Sequence, residues 1–135
     1  MTEGAPRPKV LVVDDDPALR QLLEDILVND GFDVLQAASG ARLTEMVREH
    51  QPDLVVLDEV MEPVSGLEAL QSLRSSGAKV PVVMLTAIPP DDILETAVDT
   101  GADDYVAKPF SGAVLLAHLK AILRRSRWQA GEQGA

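Results

Sequence analysis

Five short apolar runs, each followed by a stretch with helical spacing, constrain this chain more than any single motif. Val10-Leu11-Val12-Val13 is a continuous apolar run, as expected of a strand buried on both faces. Leu19, Leu22, Leu23, Ile26 and Leu27 follow at i, i+3, i+4, i+7 and i+8, one face of a helix that Pro17 opens and Gly31 stops. Asp33 to Ala37 reads as a second strand. A second helix starts at Ser39 or Gly40, turns Leu43, Met46 and Val47 inward and ends at Pro52. Leu54-Val55-Val56-Leu57 is the third apolar run, closed by Asp58. A loop from Glu59 leads into a third helix carrying Leu67, Leu70 and Leu73 and closed by Gly77. Val80 to Leu85 is the fourth strand, ending at Thr86-Ala87. Pro89-Pro90-Asp91-Asp92 opens a fourth helix with Ile93, Leu94, Ala97 and Val98 inward, and Gly101 ends it. Tyr105-Val106-Ala107 is the fifth strand. A fifth helix runs from about Ser111 to Ser126, with Leu115, Leu116, Leu119, Ile122 and Leu123 inside. This alternation predicts an α/β fold: a doubly wound, five-stranded parallel sheet with five helices in three layers, joined by right-handed crossovers.

Composition narrows the function. The 135 residues suffice for one domain with a real core. We expect a flexible tail over residues 1–8, the domain over 9–126, and a flexible tail or the start of a linker over 127–135. The chain has no cysteine, which excludes disulfides and thiolate metal sites. No apolar run approaches the roughly 20 residues of a membrane span, and Met1 to Pro8 lack the apolar region of a signal peptide. A cytoplasmic location follows by default. A net charge of −10 argues against direct contact with nucleic acid. Clustered carboxylates favour a hard cation such as Mg²⁺ instead.

The strand ends carry the chemistry. Strand one ends in Asp14, Asp15 and Asp16, strand three in Asp58, strand four in Thr86 and strand five in Lys108. In the flavodoxin-like order 2-1-3-4-5, strands one and three are neighbours at the topological switch point, where open α/β sheets bind ligands. Carboxylates packed there repel, and a divalent cation resolves the conflict. An Asp beside Mg²⁺, with a Lys to neutralise phosphate charge, can accept a phosphoryl group covalently. Taken singly, each residue also has an ordinary reading. An acidic run suits a helix N-terminus, Thr86 closes a strand, and Lys108 lies on a surface. Asp16 reads as a helix cap, and His50 and His118 read as surface residues.

Leu11-Val12-Val13-Asp14-Asp15-Asp16, Asp58 with Gly66 eight residues later, Leu85-Thr86-Ala87, and Gly101-Ala102-Asp103-Asp104-Tyr105-Val106-Ala107-Lys108-Pro109-Phe110 stand in order at the predicted strand ends. Together they resemble the receiver domain of two-component response regulators over about residues 9 to 126. The resemblance implies that Asp58 is the phosphoacceptor. It makes Asp15, Asp58 and the Val60 backbone carbonyl ligands of Mg²⁺, with Asp14 acting through water. It gives Lys108 and Thr86 to the phosphoryl group, makes Thr86 and Tyr105 the switch pair, and makes the Lys108-Pro109 bond cis. It further implies a sensor histidine kinase or phosphotransfer protein as donor, with only autocatalytic phosphotransfer and autodephosphorylation as activity.

The chain departs from the pattern in one loop. Glu62 stands where the family usually has Pro, Pro63 comes one residue later, and Ser65 stands where Asp is common. Glu59 adds a charge next to Asp58, and strand alternation points it away from the site. The resemblance implies that Val60 and Ile88 stand at positions that in receivers flank the path of hydrolytic water; neither can hydrogen-bond it, which predicts a slowly hydrolysing phospho-aspartate unless Glu62 positions the water. Two other functions fit parts of the pattern. A haloacid-dehalogenase-like Mg²⁺ phosphatase needs Asp-x-Asp-x-Thr or Val after strand one, and Asp14-Asp15-Asp16-Pro17-Ala18 fails at Ala18. A degenerate receiver would bind partners without phosphorylation. The last helix resembles that of winged-helix regulators, which implies a homodimer through the fourth helix, fifth strand and fifth helix. Asp103 and Asp104 fit that pattern; Val114 and His118 replace its usual Glu and Arg.

Overall fold

The structure, a computed structural model, describes residues 7–87 and 100–134. Strands β1 (Lys9–Val13), β2 (Asp33–Ala37), β3 (Leu54–Asp58), β4 (Val82–Thr86) and β5 (Asp104–Ala107) form one parallel sheet in the expected order β2-β1-β3-β4-β5. Helices α1 (Pro17–Asn29), α2 (Leu43–His50), α3 (Gly66–Ser75) and a C-terminal helix (Gly112–Gly134) cover it. A 3-10 turn at Gly40–Arg42 precedes α2. The expected fourth helix, with Ile93 to Val98, lies outside the described residues.

Strand residues alternate between two apolar layers, and so the sequence runs show no polar gaps. Val10, Val12, Leu54, Val56, Val83 and Leu85 face α1 and the C-terminal helix, packing on Leu23, Leu27, Leu115 and Leu119. Leu11, Val13, Val55, Leu57, Val82 and Met84 face α2 and α3, packing on Leu43, Leu70 and Leu73. Each such side chain contributes about 1.5–3 kcal/mol on full burial. Leu22, expected inward, is half exposed. Only the narrow stripe of Leu23 and Leu27 on α1 is fully buried, and Leu22 lies one helical step to its side.

Local chemistry sets the element ends. Asp16 caps α1, its carboxylate accepting from Ala18 N–H at 3.0 Å. Gly31, at φ +98°, ends that helix in a Schellman turn, with Phe32 N–H on Leu27 O and Gly31 N–H on Val28 O. Ser65 caps α3 in a reciprocal box with Glu68. The C-terminal helix continues beyond Ser126 to Gly134. The apolar spacing ends at Leu123, but residues Arg124 to Ala130 include no helix breaker.

Strand β4 begins at Val82 and not at Val80: Pro81 has no N–H for the ladder, and Arg74 holds the preceding carbonyls. Its guanidinium donates to Ala78 O (3.1 Å), Val80 O (2.8 Å) and Gly101 O (3.1 Å) and pairs with Asp103 at 3.0 Å. Asp103 in turn accepts from Val82 N–H at 2.8 Å. Pro81 and the Arg74–Asp103 pair together fix where β4 starts and where the chain enters β5.

Gly66 opens α3 against the end of β3. A Cβ there would meet Asp58 O at 2.2 Å and Glu59 Cα at 2.8 Å. Both atoms belong to backbone that cannot swing aside. Gly66→Ala should therefore cost about 1–3 kcal/mol or more and shift the Asp58 amide resonance. Urea unfolding and a two-dimensional NMR spectrum measure both, and a variant of parental stability with an unmoved Asp58 amide would refute the close approach.

Candidate functional site

The sheet ladder continues one residue past three strands, and those residues carry the site. Asp14 N–H bonds Ala37 O (3.1 Å), Glu59 N–H bonds Leu85 O (3.0 Å) and Lys108 N–H bonds Thr86 O (2.7 Å). Backbone positions at this edge are thereby as fixed as those of the strands themselves. Asp14 and Asp58 are buried, while Asp15 is exposed. Carboxylate oxygens of Asp14, Asp15 and Asp58 all lie within 4.8 Å of one another. Lys108 Nζ donates to Asp58 Oδ1 at 2.7 Å, and Val60 N–H reaches the same oxygen at 3.3 Å. Glu62 N–H donates to Asp15 Oδ2 at 3.3 Å.

Asp14 bears most of the electrostatic cost. Burial pushes its carboxyl up to about 6, and the Asp58 charge adds to that. The Asp16 N–H on Asp14 Oδ1 (2.9 Å) and the Lys108 charge act against it. Asp14 Oδ2 is buried and has no hydrogen-bond partner among the described residues. A buried oxygen without a partner costs about 1–3 kcal/mol, more when charged. The donor set, carboxylates with one oxygen unsatisfied, fits a hard divalent cation.

Thr86 and Tyr105 occupy the other face of the same edge. Thr86 is buried at the end of β4, and its hydroxyl donates to Glu59 Oε1 at 2.6 Å. Tyr105 is buried on β5, its hydroxyl sharing a hydrogen bond with Thr100 Oγ1 at 2.8 Å. Burial raises the phenol above its usual range; Thr100 opposes that, and the Glu59 charge adds to it. Alternation does carry Glu59 away from Asp58, but onto Thr86. Register decides this: Asp58 pairs with Leu85, so the next residues, Glu59 and Thr86, are neighbours on one face.

The reading of His118 needs correction. His118 is not a plain surface residue, because its Nδ1 lies 2.5 Å from Asp104 Oδ2. Asp104 also accepts from Tyr105 N–H at 2.8 Å, and Asp103 is held by Arg74. The two acidic residues expected at a homodimer face are thus engaged within the chain. The Lys108-Pro109 bond is cis, as is Glu62-Pro63 in the altered loop, which the sequence reading did not anticipate. Ile88 lies outside the described residues.

Known proteins are similar to this chain in sequence and fold. The family model described as "Response regulator receiver domain" matches residues 10–120. "Response regulator MprA" of Mycobacterium ulcerans is 41% identical over 126 residues, which cover 92% of this chain and 53% of that protein. "DNA-binding response regulator MtrA" of Mycolicibacterium smegmatis is 40% identical over 126 residues, 93% of this chain and 55% of that one. The chain spans about half the length of these curated relatives. The receiver domain of the Francisella response regulator 1452 superposes with a TM-score of 0.82 at 30% identity, covering 89% of this chain and 99% of that one. Such domains take phosphoryl groups from histidine kinases and bind Mg²⁺ at an acidic pocket, and an acidic pocket is what Asp14, Asp15 and Asp58 form here. With the family model spanning most of the chain and the strand order agreeing, this chain belongs to the response regulator receiver domain family.

Proposed function

We propose that Asp58 accepts a phosphoryl group from a sensor histidine kinase or phosphotransfer protein, and that the modified domain switches conformation to control a partner or an attached output domain. The observation that carries this is Lys108 Nζ on Asp58 at 2.7 Å, beside two further carboxylates. One Asp58 oxygen attacks phosphorus, a P–O bond forms, and the P–N bond to the donor imidazole breaks. That imidazole leaves neutral, or protonated from solvent. Lys108 passes from the carboxylate to the phosphoryl oxygens, and Thr86 supplies a hydroxyl to them. Asp15, Asp58 and the Val60 carbonyl would hold Mg²⁺, with Asp14 acting through water, and the ion would neutralise phosphoryl charge. Tyr105 follows Thr86 as the second switch residue. Activity is confined to autocatalytic phosphotransfer and autodephosphorylation.

The phosphatase reading is not favoured. Its second Asp would be Asp16, whose side chain caps α1. A degenerate receiver is not favoured either, since Asp14, Asp15, Asp58, Thr86 and Lys108 are all present. No helix among the described residues is long and apolar enough to cross a membrane, in keeping with the cytoplasmic setting usual for the family.

Three measurements test these assignments. With acetyl phosphate and Mg²⁺, intact-mass spectrometry should show one added phosphate on the parent and none on Asp58→Asn. Equal labelling of the two would remove Asp58 from its role.

Asp14 provides a linkage test. Its folded-state pKa is raised, so between about pH 4 and 6 the native state holds a proton that the unfolded state has lost. The contribution is complete below about 4 and disappears as pH rises through 6. Asp14→Asn keeps the polar group without the charge. In metal-free buffer its advantage in unfolding free energy over the parent should grow from pH 4 to 6 and then level off, at no more than roughly 3 kcal/mol. Millimolar Mg²⁺ should raise the parent's melting temperature by mass action and the variant's much less. A pH-independent difference would show that the buried charge is not the cause.

The third concerns lifetime. Val60, two residues after Asp58, offers no hydrogen bond to an attacking water, and Ile88 is equally apolar. Orienting that water can be worth several kcal/mol of barrier. Label should therefore decay slowly after donor removal, and faster in Val60→Asn combined with Ile88→Glu. An unchanged rate in the double variant would show that these side chains do not gate the water, and strong slowing in Glu62→Ala would assign the water to that carboxylate.

A further inference from the structure

We propose that Glu59 competes with the incoming phosphoryl group for the Thr86 hydroxyl, and that its hold on Thr86 sets the resting balance of the switch. This rests on the reading of Asp58 as phosphoacceptor. A hydroxyl carries one proton, and at 2.6 Å from Glu59 Oε1 that proton is committed to the carboxylate. Thr86 cannot donate it to a phosphoryl oxygen at the same time.

The contact is not a chance approach of a floppy chain. Glu59 N–H is tied to Leu85 O at 3.0 Å, and Glu59 O accepts from Gly66 N–H at 2.9 Å. The side chain therefore leaves a backbone fixed on both sides. Register puts it beside Thr86, on the face opposite the one Asp58 uses. Thr86 is 1% exposed, so water competes poorly for the bond. The Glu59 charge also reaches Tyr105, where it helps raise the phenol, so one carboxylate bears on both switch side chains.

A hydrogen bond to a charged acceptor is worth enough to bias an equilibrium by about tenfold or more. Phosphorylation must overcome that bias, because a ligand shifts a two-state equilibrium only by its differential affinity.

The test uses beryllofluoride with Mg²⁺ as the phosphoryl stand-in, titrated into the parent, Glu59→Ala, Thr86→Val and the double variant. NMR of the residue-86 methyl groups and of Tyr105 reads saturation. Glu59→Ala should lower the half-saturating concentration about tenfold. In the Thr86→Val background the same change should gain less than about twofold, because the contested hydroxyl is gone. Glu59→Gln, which keeps the shape with a weaker neutral acceptor, should fall between parent and Ala. A full gain that persists in Thr86→Val would overturn the proposal, since Glu59 would then act by repelling the anion. No gain in Glu59→Ala would overturn it as well. Failure of every protein, parent included, to bind beryllofluoride or to take label from acetyl phosphate would instead sink the phosphoacceptor reading, and the competition with it.

Discussion

The Lys108–Asp58 ion pair governs the charge balance of the whole carboxyl edge. One ammonium faces three carboxylates, which leaves two negative charges in excess. A buried ion pair is weak evidence for stability, because desolvation offsets most of its Coulombic gain. Here Asp58 is almost wholly buried and Asp14 entirely so, and the desolvation is correspondingly expensive. The arrangement makes sense as a site prepared for a cation and an anion together. A divalent ion would match the excess charge, and on the proposed reading a phosphoryl group would give Lys108 a second partner.

Such a cluster holds only on a scaffold that does not relax. Carboxylates at this separation would move apart if their backbones allowed it. They are prevented by the ladder bonds that carry Asp14, Glu59 and Lys108 one residue past their strands. Gly66 adds a second restraint by bringing the start of α3 against Asp58. The sheet beneath is filled on both faces by Leu, Val and Met at near-zero exposure, so displacement of one strand end would disturb two packed layers at once. Part of the stability gained in those layers is given up at the edge, as is common at functional sites.

What could be read from the sequence was whatever depends on a period. Val10 to Val13 and Leu54 to Leu57 announce buried strands by continuity, and Leu23 and Leu27 mark an inward helical stripe. Strand ends then follow, and with them Asp14, Asp58, Thr86 and Lys108. What could not be read depends on register or on contacts far apart in the chain. Glu59 reaches Thr86 only because Asp58 pairs with Leu85 and not with its neighbours. Arg74 gathers carbonyls from Ala78, Val80 and Gly101, which no local pattern announces. His118 meets Asp104 across the gap between helix and strand. The Ser65–Glu68 box is different: Ser65-Gly66-Leu67-Glu68 shows the capping spacing openly. It also accounts for a serine where the family commonly has aspartate, since either residue caps a helix.

The distribution of contacts bears on which of them can drive a switch. Lys108 has a carboxylate partner now and, on the proposed reading, would have a phosphoryl partner after phosphorylation, so its contribution to the two states would differ little. On the same reading Asp14 and Asp15 would serve the cation in both. Thr86 is different, because on that reading its hydroxyl, now on Glu59, would have to leave one anion to reach another. The free energy of switching then depends on the difference between two hydrogen bonds of the same kind, each to a charged acceptor and each worth a few kcal/mol at most. Differences between similar terms are small, and small gaps leave the minor state populated. A receiver with no acceptor at the position of Glu59 would face a larger gain on phosphorylation. By this argument a single side chain, outside the group that touches phosphorus, trades switching range against resting activity.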